Sequence, residues 1–299
     1  MCNEAARLRS LGEIVEAFSV LKIPLSFPDG APNLAATDSI RITDPAAIVR
    51  LHDGAHQLVQ RRWSWAAAGA AAGNAAGNAA SKGAGKGAAT GAGKPVYNYR
   101  SEGRRFVNAA DGSGGRCLIP LDGFYEFTDP GTIAAAELGS GDGGDVGGGD
   151  SGSGDSGGGD MGARTLTLPL QEQRAPPSPS RGEGKKTKKK DKWLFTLSPD
   201  AGAAWNPGGA ARGLFAVAGL WRAGVDIGAA AGGSAAGRMT GEAFTMLTCA
   251  PGPDVAPYHQ RQIVLMPRDR WADWLGGTVP AADLIAPTPG GTLVVARAG

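Results

Sequence analysis

The chain begins MCNEAARLRS, with a cysteine directly after the initiator methionine. A residue as small as Cys2 permits removal of Met1, which leaves one residue carrying both a free α-amine and a thiol. Such an aminothiol condenses with an aldehyde to a Schiff base and then closes a thiazolidine ring, a reaction closed to internal cysteines. The α-amine, with a reference pKa of about 7.7–8.0, has a reactive neutral fraction near neutrality that becomes the larger part above about pH 8, and the thiol reacts as its thiolate.

Three further places carry side chains able to act on such a centre. In CLIPLDGFYEF, Glu126 lies between Tyr125 and Phe127 on a strand, with Phe124 and Thr128 on its own face. A carboxylate beside apolar bulk is costly unless paired, and desolvation raises its pKa toward that of a general acid or base; an edge strand whose Glu faces water fits the same residues. In APGPDVAPYHQRQIVLM a proline-rich loop delivers His259 to the mouth of an apolar strand, whereas His52 and His56 lie on a polar turn. In YNYRSEGRRF one strand face presents Asn98, Arg100 and Glu102. An amide and a guanidinium can orient a sugar hydroxyl and a phosphate, and a local ion pair on an exposed strand is the plainer account. Arg61, Arg62, Trp63 and Trp65 in VQRRWSW interleave cations with stacking rings, a composition suited to single-stranded nucleic acid and equally to core packing.

Positioning these residues requires a framework. Asn3 as a cap and Leu8, Leu11, Val15 and Phe18 at helical spacing predict an N-terminal helix. Short strands are predicted at DSIRIT, AIVRL, QLVQRRWSW, RCLIPLDGFYEF, WLFTL, GLFAVAGLW, AFTMLTC, QIVLM and TLVVAR, with a short helix at RDRWADWL. The expected fold class is α+β, a mainly antiparallel β domain with few helices. Low-complexity insertions interrupt it at about 66–94, 131–191 and 223–241, where small and polar residues leave too little apolar bulk to offset ordering entropy. Within the second insertion the run KKTKKKDK reads as a solvated linker in preference to a DNA-binding patch, and its exposed positive charge suits DNA binding or a targeting signal equally.

The 49 glycines and 20 prolines indicate a folded core smaller than 299 residues suggest. A formal charge of +2 declares no global nucleic-acid field, so a basic surface would be local. Cys2, Cys117 and Cys249 show no Cys-x-x-Cys pairing, which argues against a disulfide framework and a zinc site; the latter two are expected to be buried structural thiols. Neither a signal peptide nor an apolar run of about 20 residues is present, giving the expectation of an intracellular protein without membrane attachment.

Taken together, the penultimate Cys, the Asn-x-Arg-x-Glu strand, CLIPLDGFYEF, FAVAGLW and the Thr-x-Leu-Thr-x-Ala segment followed by His259 resemble the SRAP family (SOS response-associated peptidase). That resemblance implies a monomer that loses Met1 autocatalytically and crosslinks covalently to abasic sites in single-stranded DNA, with no cofactor or metal. It implies Cys2 as nucleophile, Glu126 as catalytic carboxylate, Asn98 as anchor for the opened sugar, Arg100 as a phosphate contact and His259 as the histidine of the family motif. Location would be cytoplasmic and nucleoid-associated in a bacterium, nuclear or organellar in a eukaryote. The family commonly has Gly-Arg after the cysteine; Asn3 and Glu4 stand there, leaving Arg7 or Arg9 as replacement cations. HQRQIVLM departs from the family's His-x-Arg-Met-Pro form. Two other classes fit the same residues: a cysteine or N-terminal-nucleophile hydrolase using Cys2 and His259, and a reversible single-strand-binding module in which Cys2 is incidental.

Overall fold

A computed structural model describes residues 2–66, 95–133, 189–205, 213–229 and 238–298. The chain opens with strand β1 (Glu4–Arg7), helix α1 (Leu11–Ser19) and strands β2 (Leu25–Ser26), β3 (Thr37–Arg41), β4 (Pro45–His52), β5 (Ala55–Trp63) and β6 (Trp65–Ala66). Strands β7 (Pro95–Val96), β8 (Asn98–Arg100), β9 (Gly114–Leu121) and β10 (Gly123–Thr128) follow. Next come β11 (Asp191–Leu197), helix α2 (Pro199–Trp205), β12 (Phe215–Ala229), β13 (Arg238–Cys249), β14 (Gln262–Ile263) and β15 (Leu265–Met266). Helices α3 (Trp271–Gly276) and α4 (Ala281–Leu284) precede the final strand β16 (Leu293–Arg297). The fold is α+β and mainly antiparallel, as the sequence pattern predicts.

Strands β13, β12, β9, β4 and β5 hydrogen-bond in that order, and a parallel pairing of Ala243 with Arg62 and Phe244 with Trp63 closes them into a small barrel. A second sheet runs β16-β11-β10-β1-β3. Alternation along the barrel strands divides the core in two, because successive side chains point to opposite faces. Leu118, Ala216 and Ala218 join Phe18, Trp271 and Trp274 of the helices, whereas Cys117, Ile119 and Val217 join Phe124 and Phe195 of the second sheet. Cys117 and Cys249 are buried, as expected.

Between β9 and β10 only Asp122 intervenes, so this one stretch leaves the barrel and enters the second sheet. Gly123 is required there: a Cβ would come within 2.8 Å of Leu194 Cδ1 and 3.1 Å of Phe195 O. β10 lies between β1 and β11, which settles the surroundings of Glu126 as interior.

The N-terminal helix begins later than its periodicity predicts. Glu4–Arg7 is a strand with all four residues buried, and α1 starts at Leu11. Ser10 and Glu13 form a capping box, with Glu13 N donating to Ser10 Oγ and Ser10 N to Glu13 Oε2, and this start signal outweighs Asn3. Of the low-complexity insertions, residues 67–94, 134–188 and 230–237 lie outside the described residues. The margins 223–229 and 238–241, assigned to the third insertion by composition, belong to the β12–β13 hairpin, where Val225 pairs with Gly241 and Ala229 with Arg238. Main-chain pairing across a long hairpin is indifferent to the weak apolar content that suggested a gap. Among the described residues no helix is long and apolar enough to cross a membrane.

Candidate active site

The sheet register brings the N-terminus to the middle of β10. Glu4 pairs with Tyr125, Ala5 with Phe124 and Ala6 with Gly123, so the next step outward sets Asn3 opposite Glu126. Beyond β1 the chain is clamped by Asp122, whose Oδ2 accepts from Leu8 N at 2.6 Å and Arg9 N at 3.1 Å while Oδ1 accepts from Arg9 Nε at 2.9 Å. Within the strand, Glu4 accepts from Lys192 Nζ at 2.8 Å and Ser39 Oγ at 2.6 Å. Burial raises the Glu4 carboxyl, and these hydrogen bonds outweigh it, leaving its pKa below the usual carboxylate range.

Cys2 is buried at the head of this strand, its Sγ donating to Glu4 O at 3.4 Å and its carbonyl accepting from Asn98 Nδ2 at 2.6 Å. Its backbone N–H lies close enough to the Glu126 carboxylate to favour the charged form of that group. Burial, followed by the negative charge of Glu126, pushes the Cys2 thiol far above its ordinary pKa. Burial also raises the Glu126 carboxyl, to about 7, against the N-terminal ammonium and the Cys2 N–H, which favour its charged form. Asn98 Oδ1 is buried with no hydrogen-bond partner among the described residues.

His259 reaches the same place from the far side. Val255, fully buried, anchors its loop, His259 N donates to Val255 O at 2.9 Å, and Tyr258 packs edge-on against Trp193 and Phe195 of β11. Nδ1 lies 2.9 Å from Arg261 O and 3.0 Å from Arg261 N. A neutral Nδ1 accepts from the amide and a protonated one donates to the carbonyl, so the ring keeps its orientation in either state. Burial, with the N-terminal ammonium behind it, holds the His259 pKa below its usual value.

A cavity of about 400 Å³ is lined by Asn3, Glu126, Phe127, Lys190 and His259. Cys2, Glu126, Asn98 and His259 therefore converge, with a carboxylate of pKa about 7 against the Cys2 nitrogen. The other sequence candidates lie elsewhere. Arg100 is exposed at the end of β8, two residues beyond Asn98 and outside the cavity wall. Arg62 is half-buried, its Nη1 donating to Thr43 O at 3.2 Å. Trp63 and Trp65 are core residues, not stacking platforms: Trp63 lies parallel to Phe244 with Nε1 bonded to Tyr97 O, and Trp65 is 6% exposed. Neither offers a ring face to a base, because closure of the barrel covers them. Glu102, on the strand face with Asn98 by sequence, instead pairs with Arg261.

Arg7 and Arg9 are likewise committed. Arg7 is buried and donates to Arg9 O, Leu34 O and Ala35 O, and Arg9 binds Asp122 and Glu13. Sequence reasoning missed the Asp122 clamp and weighed the lysine-rich run only as a whole, without singling out Lys190. Lys190 was hidden in a run judged by composition, whereas Asp122 next to Gly123 was legible as a turn but not as an acceptor for a segment more than a hundred residues earlier. Among the described residues no three His, Cys, Asp or Glu side chains converge to hold a metal ion.

No family model matches the chain, and no curated protein does. Among solved structures it is similar to a protein from Bordetella bronchiseptica, with a TM-score of 0.48 and 17% identity over 100% of both chains. It is also similar to a phage-related protein from the same organism, with a TM-score of 0.47 and 14% identity over 99% of this chain and 94% of that one.

Proposed function

We propose that this chain is a SRAP-type protein that captures abasic sites in single-stranded DNA as a thiazolidine at Cys2, after hydrolysis of the Met1–Cys2 peptide bond. The observation that carries the reading is the buried Glu126 carboxyl set beside the N-terminal end of β1, where Asn98 Nδ2 holds the Cys2 carbonyl at 2.6 Å. A carboxyl with a pKa of about 7 can take a proton near neutrality and return it, as general acid–base catalysis requires.

In the first step water adds to the Met1 carbonyl, Glu126 accepts a water proton, and the Cys2 nitrogen leaves protonated as the peptide bond breaks. In the second, the neutral Cys2 amine attacks the C1′ aldehyde of the ring-opened sugar. Glu126 relays protons as the carbinolamine loses water and the Schiff base forms. The resting thiol is held protonated by burial, so the amine reacts first. The positive charge of the protonated imine then favours the thiolate, and the thiol proton passes to Glu126, left as a carboxylate by the loss of water. Sulfur adds to the imine carbon, the nitrogen keeps its proton as an amine, and the ring closes. Overall one water is released. Closure removes the imine on which β-elimination depends, so the strand stays intact. Asn98 fixes the Cys2 carbonyl, and His259, oriented by Arg261, exchanges a proton with the opened sugar's hydroxyl.

The test is incubation with a single-stranded oligonucleotide bearing one abasic site, followed by denaturing electrophoresis and intact mass. Expected is a stable adduct of protein lacking Met1 plus DNA less one water, absent in Cys2→Ser. No covalent product from a protein with a processed Cys2, or turnover of amide substrates in its place, overturns the reading.

A further inference from the structure

We infer that Lys190 binds a DNA phosphate at the cavity lined by Asn3, Glu126 and His259, making the end of the lysine-rich run part of the single-strand interface; this rests on the function proposed above. Lys190 lines the cavity with Asn3, Glu126, Phe127 and His259. Its charge reaches the His259 ring, and of the residues lining that cavity it alone carries a fixed positive charge. Among the described residues its one ion-pair partner is Asp129, whose Oδ1 is 3.9 Å away, with the two side chains 59% and 83% exposed. An exposed pair at that distance contributes little and yields readily to a phosphate.

The backbone fixes where this ammonium can go. Lys190 immediately precedes β11, whose first residues are held by pairing of Asp191 with Thr128 and Lys192 with Phe127. Lys192 is drawn away onto Glu4 and the Tyr125 ring, 3.9 Å from its centroid. Lys190 is thus tethered beside the reacting centre, and only its exposed pair with Asp129 competes for its ammonium among the described residues. A sugar whose aldehyde meets the Cys2 nitrogen beside Glu126 carries a phosphate on each side, and Lys190 lines the same cavity as Glu126, where it can meet one of them.

The experiment separates this contact from the chemistry. Cys2→Ser protein, which cannot crosslink, is titrated with an undamaged single-stranded oligonucleotide by fluorescence anisotropy across a salt series. Lys190→Gln is expected to lower the slope of log K against log[salt] by about 0.7, the value for one phosphate contact on a single strand. Lys190→Arg is expected to keep the slope. In Cys2-intact protein, Lys190→Gln is expected to slow capture of the abasic oligonucleotide at subsaturating DNA with the yield at saturation retained. A slope unchanged by Lys190→Gln overturns the inference even if wild-type protein crosslinks. A reduced slope without any crosslink in the Cys2-intact protein upholds the phosphate contact and overturns the capture reaction instead.

Discussion

Glu126 is the residue on which the site turns, because its burial has opposite consequences for stability and for chemistry. Below its ordinary pKa of 4.5 the carboxyl is neutral in both folded and unfolded chains. As pH rises from there, the unfolded chain releases its proton while the folded chain holds it until about 7, so folding progressively loses stability. At about 1.4 kcal/mol per pKa unit the loss is of order 3 kcal/mol, complete once pH has passed the folded value. Glu126→Gln cannot ionise, so its melting temperature is expected to match wild type near pH 4.5 and exceed it near pH 8. Capture of an abasic oligonucleotide by the same variant is expected to fall by about 10²–10⁴-fold, the usual weight of general acid–base assistance. Wild-type capture is expected to gain rate as pH rises through about 7, an inflection the variant lacks. Thermal scans and single-turnover gels over the same pH series check both; a variant that loses stability at pH 8 would show that the carboxylate is a structural ion rather than a strained acid.

At the scale of elements, the site depends on β1 being a strand. Its hydrophobic spacing suggested a helix from Asn3, because Leu8, Leu11, Val15 and Phe18 recur at helical intervals, yet Leu8 is 55% exposed and contributes nothing to a helical stripe. What makes Glu4–Arg7 extended is partners distant in sequence: β10 and β3 on either side, and carbonyls of Leu34 and Ala35 that take the Arg7 guanidinium. No local pattern encodes these. By contrast β10, β13 and α3 were legible from alternation and periodicity, and Cys2, Glu126 and His259 stood out because a thiol, a carboxylate and an imidazole each sat in an anomalous setting. Trp63 and Trp65 misled because aromatic bulk beside arginine has the same composition on a binding face and in a barrel wall. The two devices flanking the strand are expected to separate on mutation. Ser10→Ala removes the α1 cap and is expected to cost about 1 kcal/mol with capture rate unchanged. Asp122→Ala strands three donors of the Leu8–Arg9 segment and is expected to cost about 2–3 kcal/mol and to slow both Met1 removal and capture, because β1 no longer seats Cys2 against Glu126. Equal capture rates in the two variants, measured well below their melting temperatures, would remove Asp122 from any positioning role.

Over the whole molecule, the chain passes from β9 of the barrel straight into β10 of the second sheet through Asp122, and the cavity sits where the first residues of the chain meet the strands on either side of the longest stretch outside the described residues. The ends of that stretch are already adjacent. Thr128 pairs with Asp191, and Gly131 N donates to Asp191 Oδ2 at 3.2 Å, so β10 and β11 need no more than a hairpin connection between them. Closing a loop costs about 3/2 RT times the logarithm of its length, so replacing residues 134–188 with a Gly/Ser linker of roughly five residues is expected to stabilise the fold by about 2 kcal/mol. For a chain of this size that corresponds to a rise in melting temperature of about 4–8 °C. Such a variant keeps Lys190 and β11, and its single-turnover capture of an abasic oligonucleotide is expected to equal that of the full chain. A fall in melting temperature would mean that residues 134–188 pack against the sheet and contribute to it. Lost capture with the melting temperature retained would instead place part of the DNA path in that segment, extending the interface beyond Lys190 along the lysine-rich run.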